Sequence, residues 1–227
     1  MLKILEASRL VLNGYPSSDG RPMAETDFHR QLMTALIETL EDWFVDRNDV
    51  YVSGNLLMYY VQGDKRKHVA PDVFAVFGVP KKKRLNYLVW EEGHAPGVVI
   101  ELTSASTSKE DKQTKFSLYR DVLRVSEYYL FDPFGEYLSP RFQGYRLVAG
   151  AYRRMRLLDG SLRSKKLGLI LKSEGSELRL VNPETGERLP TRDEARASAE
   201  AALSEAEIEV ERLRRELEEL KRERRGG

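Results

Sequence analysis

The chain of 227 residues contains no cysteine, which excludes disulfides and thiolate metal sites. Histidine is scarce: His29, His68 and His94 are the whole supply. A His-rich zinc centre is therefore disfavoured, and hard oxygen ligands for magnesium or manganese suit the available side chains better. Charge of one sign is also missing. With 37 Lys/Arg against 36 Asp/Glu the formal net charge is +1, so no global basic field advertises a nucleic-acid partner and any basic surface must be local. No segment approaches the roughly 20 apolar residues of a membrane span. Charge interrupts the apolar run at the N-terminus, where a signal-peptide core would lie. A cytoplasmic protein without a membrane partner is the expectation.

What is present is 41% hydrophobic and 32% charged, enough for a sizeable core under a highly charged surface. The length fits one domain with an appendage. Residues 24–45 repeat Phe28, Leu32, Leu36, Ile37, Leu40 and Phe44 at helical spacing, with Thr26 or Asp27 as cap. Residues 50–61 alternate like a strand, and Gln62–Lys67 reads as a polar turn. A basic loop with Lys81, Lys82, Lys83 and Arg84 occupies residues 78–96, with a short strand at Tyr87–Trp90. A helix is expected over 109–123 and a strand over 126–132. Antiparallel strands at 143–147, 152–157, 167–171 and 178–181 follow.

After Pro190 the composition changes. Neither Gly nor Pro occurs from Thr191 to Arg225, and Ala199, Leu203, Ala206, Val210, Leu213, Leu217 and Leu220 are spaced alternately by four and three. That is a coiled-coil seam of about three heptads. The expected organisation is a domain over 1–190 and a coiled-coil helix over 191–227, the latter pairing with a partner chain.

Two carboxylates stand in unusual places. Asp72, after Pro71, opens the apolar run Asp-Val-Phe-Ala-Val-Phe, and Glu101 sits within Val-Val-Ile-Glu-Leu. Both runs are short, β-branched and aromatic, as strands are. A carboxylate at the edge of a buried strand is costly to desolvate unless paired or bound to metal. For Asp72 a plain turn role stays open; for Glu101, after three apolar residues, it is harder to sustain. Asp111, Lys115 and Tyr119 are four residues apart and share a helix face. Lys115 alone reads as a solvated helix lysine, but in register with Asp111 and Glu101 it can supply the cation of a metal-dependent phosphodiesterase. Ser104 and Ser106 have no His–Asp partner placed to activate them, which argues against a serine hydrolase.

Taken together, Pro71-Asp72, Val-Ile-Glu101-Leu-Thr-Ser104, Asp111-x-x-x-Lys115-x-x-x-Tyr119 and Glu127-Tyr-Tyr-Leu-Phe-Asp132-Pro133 resemble the Uma-two family of restriction endonuclease-like proteins, within the PD-(D/E)xK nuclease superfamily. The resemblance spans residue 24 to about 172. It implies an α/β (α+β) fold, restriction-endonuclease-like, with a mixed central sheet flanked by helices, followed here by the C-terminal coiled-coil helix. It implies DNA as substrate, Mg2+ or Mn2+ as cofactor, metal ligation by Asp72 and Glu101, and a displaced-lysine role for Lys115. It also brings Glu25 toward the catalytic set and His29 toward a DNA-phosphate or catalytic role. In such a nuclease Lys81, Lys82, Lys83 and Arg84 contact phosphates. Two departures stand out: Thr103 fills the lysine slot of the strict motif, and Tyr129 replaces a commoner Trp.

The expectation is a metal-dependent DNA endonuclease acting as a homodimer through its coil. The rival is an inactive nuclease-like module that binds nucleic acid or scaffolds a partner. RNA as substrate stays open, since nothing in the sequence reports a 2′-hydroxyl contact.

Overall fold

The structure, a computed structural model, describes residues 14–16, 26–104 and 107–226. Two compact units divide the chain, Met1–Leu189 and Pro190–Gly227.

The first unit is built on a six-stranded sheet. Its strands, in spatial order, are β1 (Val50–Ser53), β4 (Val73–Phe77), β6 (Val98–Leu102), β7 (Glu127–Phe131), β8 (Phe142–Val148) and β9 (Ala151–Arg154). All neighbours are antiparallel except β6 and β7. This parallel pair lies in the middle of the sheet and every residue of both strands is buried. Strands covered on both faces read as near-continuous apolar runs, which is why Val-Val-Ile and Tyr-Tyr-Leu-Phe do not alternate with polar residues.

Alternation instead sorts the side chains between two cores. Val73, Ala75, Val98, Ile100, Leu102, Tyr129 and Phe131 join one core. That core is closed by helix α1 (Asp27–Trp43) and by the sheet of β10 (Ser161–Arg163), β11 (Ile170–Glu174) and β12 (Glu177–Val181). Phe74, Val76, Val99, Tyr128 and Leu130 point the other way, into a core shared with Tyr119, Leu123, Met58 and Tyr87. A small third sheet lies there: β3 (His68–Val69), β2 (Met58–Tyr59) and β5 (Tyr87–Leu88), with a helical turn α2 (Val89–Glu92) after it. Each fully buried apolar side chain contributes about 1.5–3 kcal/mol relative to exposure.

Several boundaries differ from the sequence expectation. The strand expected over 50–61 breaks at Gly54–Leu57. A Cβ at Gly54 would stand 1.9 Å from the Asp72 carbonyl oxygen, and Asn55 adopts φ 50° while donating its N–H to the Pro71 carbonyl at 2.7 Å. The chain bends there so that its backbone can lie against residues 71–72. The strand expected at Tyr87–Trp90 is only two residues long before it coils into α2. The expected 109–123 helix exists, but after α3 (Ser108–Glu110) it widens into two π-helical stretches, Asp111–Lys115 and Leu118–Val122. Strand β10 has no counterpart in the sequence reading.

The second unit is one helix, α4 (Arg192–Gly226). Thr191 and Glu194 form a reciprocal cap at its start: the Thr191 N–H donates to Glu194 Oε2 at 2.8 Å, and the Glu194 N–H donates to Thr191 Oγ1 at 3.2 Å. Among the described residues no helix is long and apolar enough to cross a membrane.

Candidate active site

The antiparallel register of β4 and β6 sets Val73 opposite Ile100. One step further along that register, Asp72 falls opposite Glu101. The Asp72 N–H donates to Glu101 Oε2 at 3.3 Å, and the Leu102 N–H donates to Asp72 Oδ2 at 2.7 Å. The two carboxylates are thus tied through each other's backbone. Glu101 faces the same side as Val99, toward the helical segment that follows β6.

That segment delivers three buried side chains, Asp111, Lys115 and Tyr119. Lys115 Nζ donates to Glu101 Oε2 at 2.9 Å and stands 3.1 Å from Asp111 Oδ1. The Tyr119 hydroxyl donates to Glu101 Oε1 at 2.6 Å. The Tyr128 hydroxyl donates to the Asp111 carbonyl at 3.0 Å and fixes the π-helical turn beneath. From the other side His29 enters from the first turn of α1, its N–H bonded to the Thr26 cap at 3.2 Å. Its Nε2 lies 3.5 Å from Asp72 Oδ1.

Charge is out of balance in this cluster. Three carboxylates, of which Glu101 and Asp111 are essentially without exposed surface, face one lysine and one histidine. Burial pushes the Glu101 carboxyl well above the usual carboxylate value, and Lys115 only partly opposes that. Burial likewise raises Asp111 against the pull of Lys115. Burial pushes Asp72 upward too, but His29, Lys115 and the Leu102 N–H outweigh it and leave its pKa lowered. Burial works against the Lys115 ammonium, yet Glu101, Asp111 and Asp72 raise it well above an ordinary lysine. Burial and Glu101 raise the Tyr119 hydroxyl in the same direction. At neutral pH, Lys115 and Tyr119 therefore keep their protons and act as hydrogen-bond donors.

Among the described residues no three His, Asp or Glu side chains stand in metal-ligating geometry. The donor chemistry nevertheless suits a hard divalent cation. Carboxylates outnumber cations, one oxygen each of Asp72 and Glu101 is held by a backbone N–H, and the buried Thr103 hydroxyl, on the Glu101 face, has no hydrogen-bond partner.

Of the residues singled out from sequence, Asp72, Glu101, Lys115 and His29 meet in this cluster. Glu25 lies outside the described residues. Asp111 and Tyr119 belong to the cluster as well; their spacing with Lys115 signalled one face, but Tyr119 reads from sequence as ordinary core. The basic loop has a different engagement. Lys81 Nζ donates to the Phe44 and Val45 carbonyls at the end of α1. Arg84 stacks on Tyr51 at 4.0 Å and grips Glu92 through two bonds of 2.8 Å, with Lys82 3.2 Å from the same carboxylate. Lys83 is exposed. With Tyr51 and Glu41 these residues line a separate cavity of about 520 Å³.

The acidic residues of Glu127–Asp132 are fully committed to structure. Glu127 accepts from Arg146, the Lys165 N–H, Tyr129 and Ser164. Asp132 accepts four backbone N–H groups, from Phe134, Gly135, Tyr137 and Leu138.

With this geometry in place, the comparison with known families decides the grouping. The family model Uma2, described as "Putative restriction endonuclease", matches residues 15–171. The chain belongs to this family. A solved structure with a similar backbone is a "putative nuclease belonging to DUF820" from Anabaena variabilis ATCC 29413. It is 14% identical with a TM-score of 0.46, over 66% of this chain and 81% of the other. No curated protein matches the sequence significantly. The Uma2 match runs from ahead of α1 to β11 and so encloses the whole carboxylate cluster. The mixed central sheet flanked by helices agrees with the restriction-endonuclease-like fold class expected of a nuclease family.

Proposed function

We propose that this Uma2 chain is a DNA endonuclease dependent on Mg2+ or Mn2+. Asp72 and Glu101 would hold the metal, with Asp111 close enough through Lys115 to add charge. The observation that carries the reading is Glu101. A fully buried carboxylate in a central strand collects an ammonium, a phenol and the Asp72 N–H, an expensive arrangement with no evident packing role.

When bound, the cation polarises the phosphate and lowers the pKa of a ligated water. The chain's own residues do the rest. Lys115 remains protonated, so it donates to the attacking water or to the phosphoryl oxygen where charge develops, and it does not act as a base. Tyr119 orients Glu101 by occupying its second oxygen. His29 sits beside Asp72 at the start of α1, its Nε2 3.5 Å from Asp72 Oδ1, where it steadies that carboxylate. Exposed Lys83 is the loop residue left to touch the DNA backbone, a contact that weakens as salt rises.

The test is plasmid cleavage with magnesium or manganese by the wild type and by Asp72→Ala and Glu101→Ala. Metal-dependent nicking that each variant loses supports the proposal. Equal nicking by Asp72→Ala refutes the site. A second reading, a non-cleaving module that binds nucleic acid or scaffolds a partner, draws on two observations: both Glu101 oxygens are internally engaged, and Thr103 stands where a lysine is usual. Manganese titration separates the two, since a catalytic site binds the ion and loses it in Glu101→Ala.

A further inference from the structure

Helix α4 leaves a row of apolar side chains uncovered. Leu203, Val210, Leu213, Leu217 and Leu220 are each between 47% and 61% exposed. Single exposed leucines need no explanation, but these five share one seam with Ala199 and Ala206. In heptad terms Leu203, Val210 and Leu217 take position a, while Ala199, Ala206, Leu213 and Leu220 take position d.

The flanking charges name the occupant. Position g holds Glu209, Glu216 and Glu223, and position e holds Glu200, Glu207, Arg214 and Lys221. In a parallel, in-register pair each g side chain meets the e side chain five residues later on the other helix. Glu209 then meets Arg214 and Glu216 meets Lys221, twice each by symmetry. An antiparallel pair sets e against e and g against g: Glu200 and Glu207 would meet Lys221 and Arg214, but Glu209 would face Glu216 of the other helix and repel it. Only the parallel orientation makes its attractive pairs without setting like charges against each other.

Within the single helix Arg212 holds both glutamates, Glu209 at 2.5 Å and Glu216 at 3.2 Å. All three side chains are exposed, so exchanging these contacts for inter-helix ones costs little. Val210 at a with Leu213 at the next d is the combination that favours two strands over three; the other a positions hold Leu203 and Leu217.

We propose that α4 docks a second copy of this chain as a parallel, in-register, two-stranded coiled coil. Both chains enter the coil at the Thr191–Glu194 cap. The proposal does not depend on whether the carboxylate cluster cleaves DNA.

The full chain provides a clean test, because it has no native cysteine. Sedimentation of the wild type should give twice 26.1 kDa. Leu220→Cys, at an exposed position, should form a covalent dimer on mild oxidation. A mixture of Leu203→Cys and Leu220→Cys should cross-link like with like. Arg214→Glu with Lys221→Glu should weaken self-association at least about tenfold, and adding a copy with Glu209→Lys and Glu216→Lys should restore pairing. A monomer up to about 100 µM, a trimer, or preferential cross-linking of position 203 to position 220 overturns the proposal.

Discussion

Glu101 has no solvent-exposed surface, in a buried strand whose other residues are all apolar. Its raised pKa has a sign that can be followed. The folded cluster holds a proton that a free carboxylate, with a pKa of about 4.3, gives up. The folded state therefore binds more protons than the unfolded one above that pH, and stability falls as pH rises from the ordinary carboxylate range toward the raised folded value. Glu101→Gln removes the titration. Thermal melts without metal, from acidic to neutral pH, should show the wild type losing ground to Glu101→Gln as pH increases; parallel curves would refute this. Lys115→Met has the opposite character. It strands Glu101 and Asp111 without their cation, and should cost about 3–5 kcal/mol. Adding Glu101→Gln should recover part of that loss, as a double-mutant cycle of denaturant midpoints would reveal.

The site residues were unevenly visible in the sequence. Asp72 and Glu101 announce themselves because charge inside an apolar run contradicts the run. Lys115 follows from spacing. Tyr119 does not, because a buried tyrosine looks like any core aromatic until the partner of its hydroxyl is known. The loop Lys81–Arg84 reads as solvated charge, but three of its four cations are spent on a helix end and on Glu92. Those partners lie 36 and 8–10 residues away in sequence, beyond what local pattern conveys.

At the level of elements, the register between β4 and β6 places the carboxylates, and Gly54 protects that register. Any side chain there meets Asp72's carbonyl and Ile37 Cδ1, the latter at 2.6 Å. Gly54→Ala should therefore displace Asp72, costing about 1–3 kcal/mol and lowering metal affinity together with activity. A variant with unchanged melting and unchanged manganese affinity would contradict this role. The central strands β6 and β7 are legible because they are long, β-branched or aromatic, and bounded by turns. The two-residue strand β3 is not, and the bounds of β2 and β5 are not, since two residues carry no period. The π-helical widening is also invisible: it leaves the apolar spacing intact while rotating Asp111, Lys115 and Tyr119 onto Glu101.

The whole molecule shows a similar division. Residues 191–225 hold 9 Lys/Arg and 11 Asp/Glu, leaving 28 and 25 for the rest. Neither portion has the charge to grip DNA non-specifically, so binding should rest on a few local cations. Lys83→Ala should then weaken DNA binding and make it less sensitive to salt, by about one phosphate contact; binding isotherms at several salt concentrations measure this. Exposed seam residues contribute nothing to the stability of a single chain. Leu213→Ser with Leu217→Ser should leave the melting of the first unit unchanged and slow linearisation of plasmid more than nicking, because paired cuts draw on paired sites. Equal slowing of both would show the coil has no part in cutting two strands.

The central claim is that the Asp72–Glu101–Lys115 cluster hydrolyses DNA with a divalent metal. The most direct measurement is the conversion of supercoiled plasmid in manganese or magnesium by wild type, Asp72→Ala and Glu101→Gln, with folding of each verified by circular dichroism. The account predicts nicked and linear products from the wild type, none in chelator, and rates lower by at least about 10²-fold for both folded variants. Cleavage by either variant at the wild-type rate, or none by the wild type with any divalent ion, would contradict it.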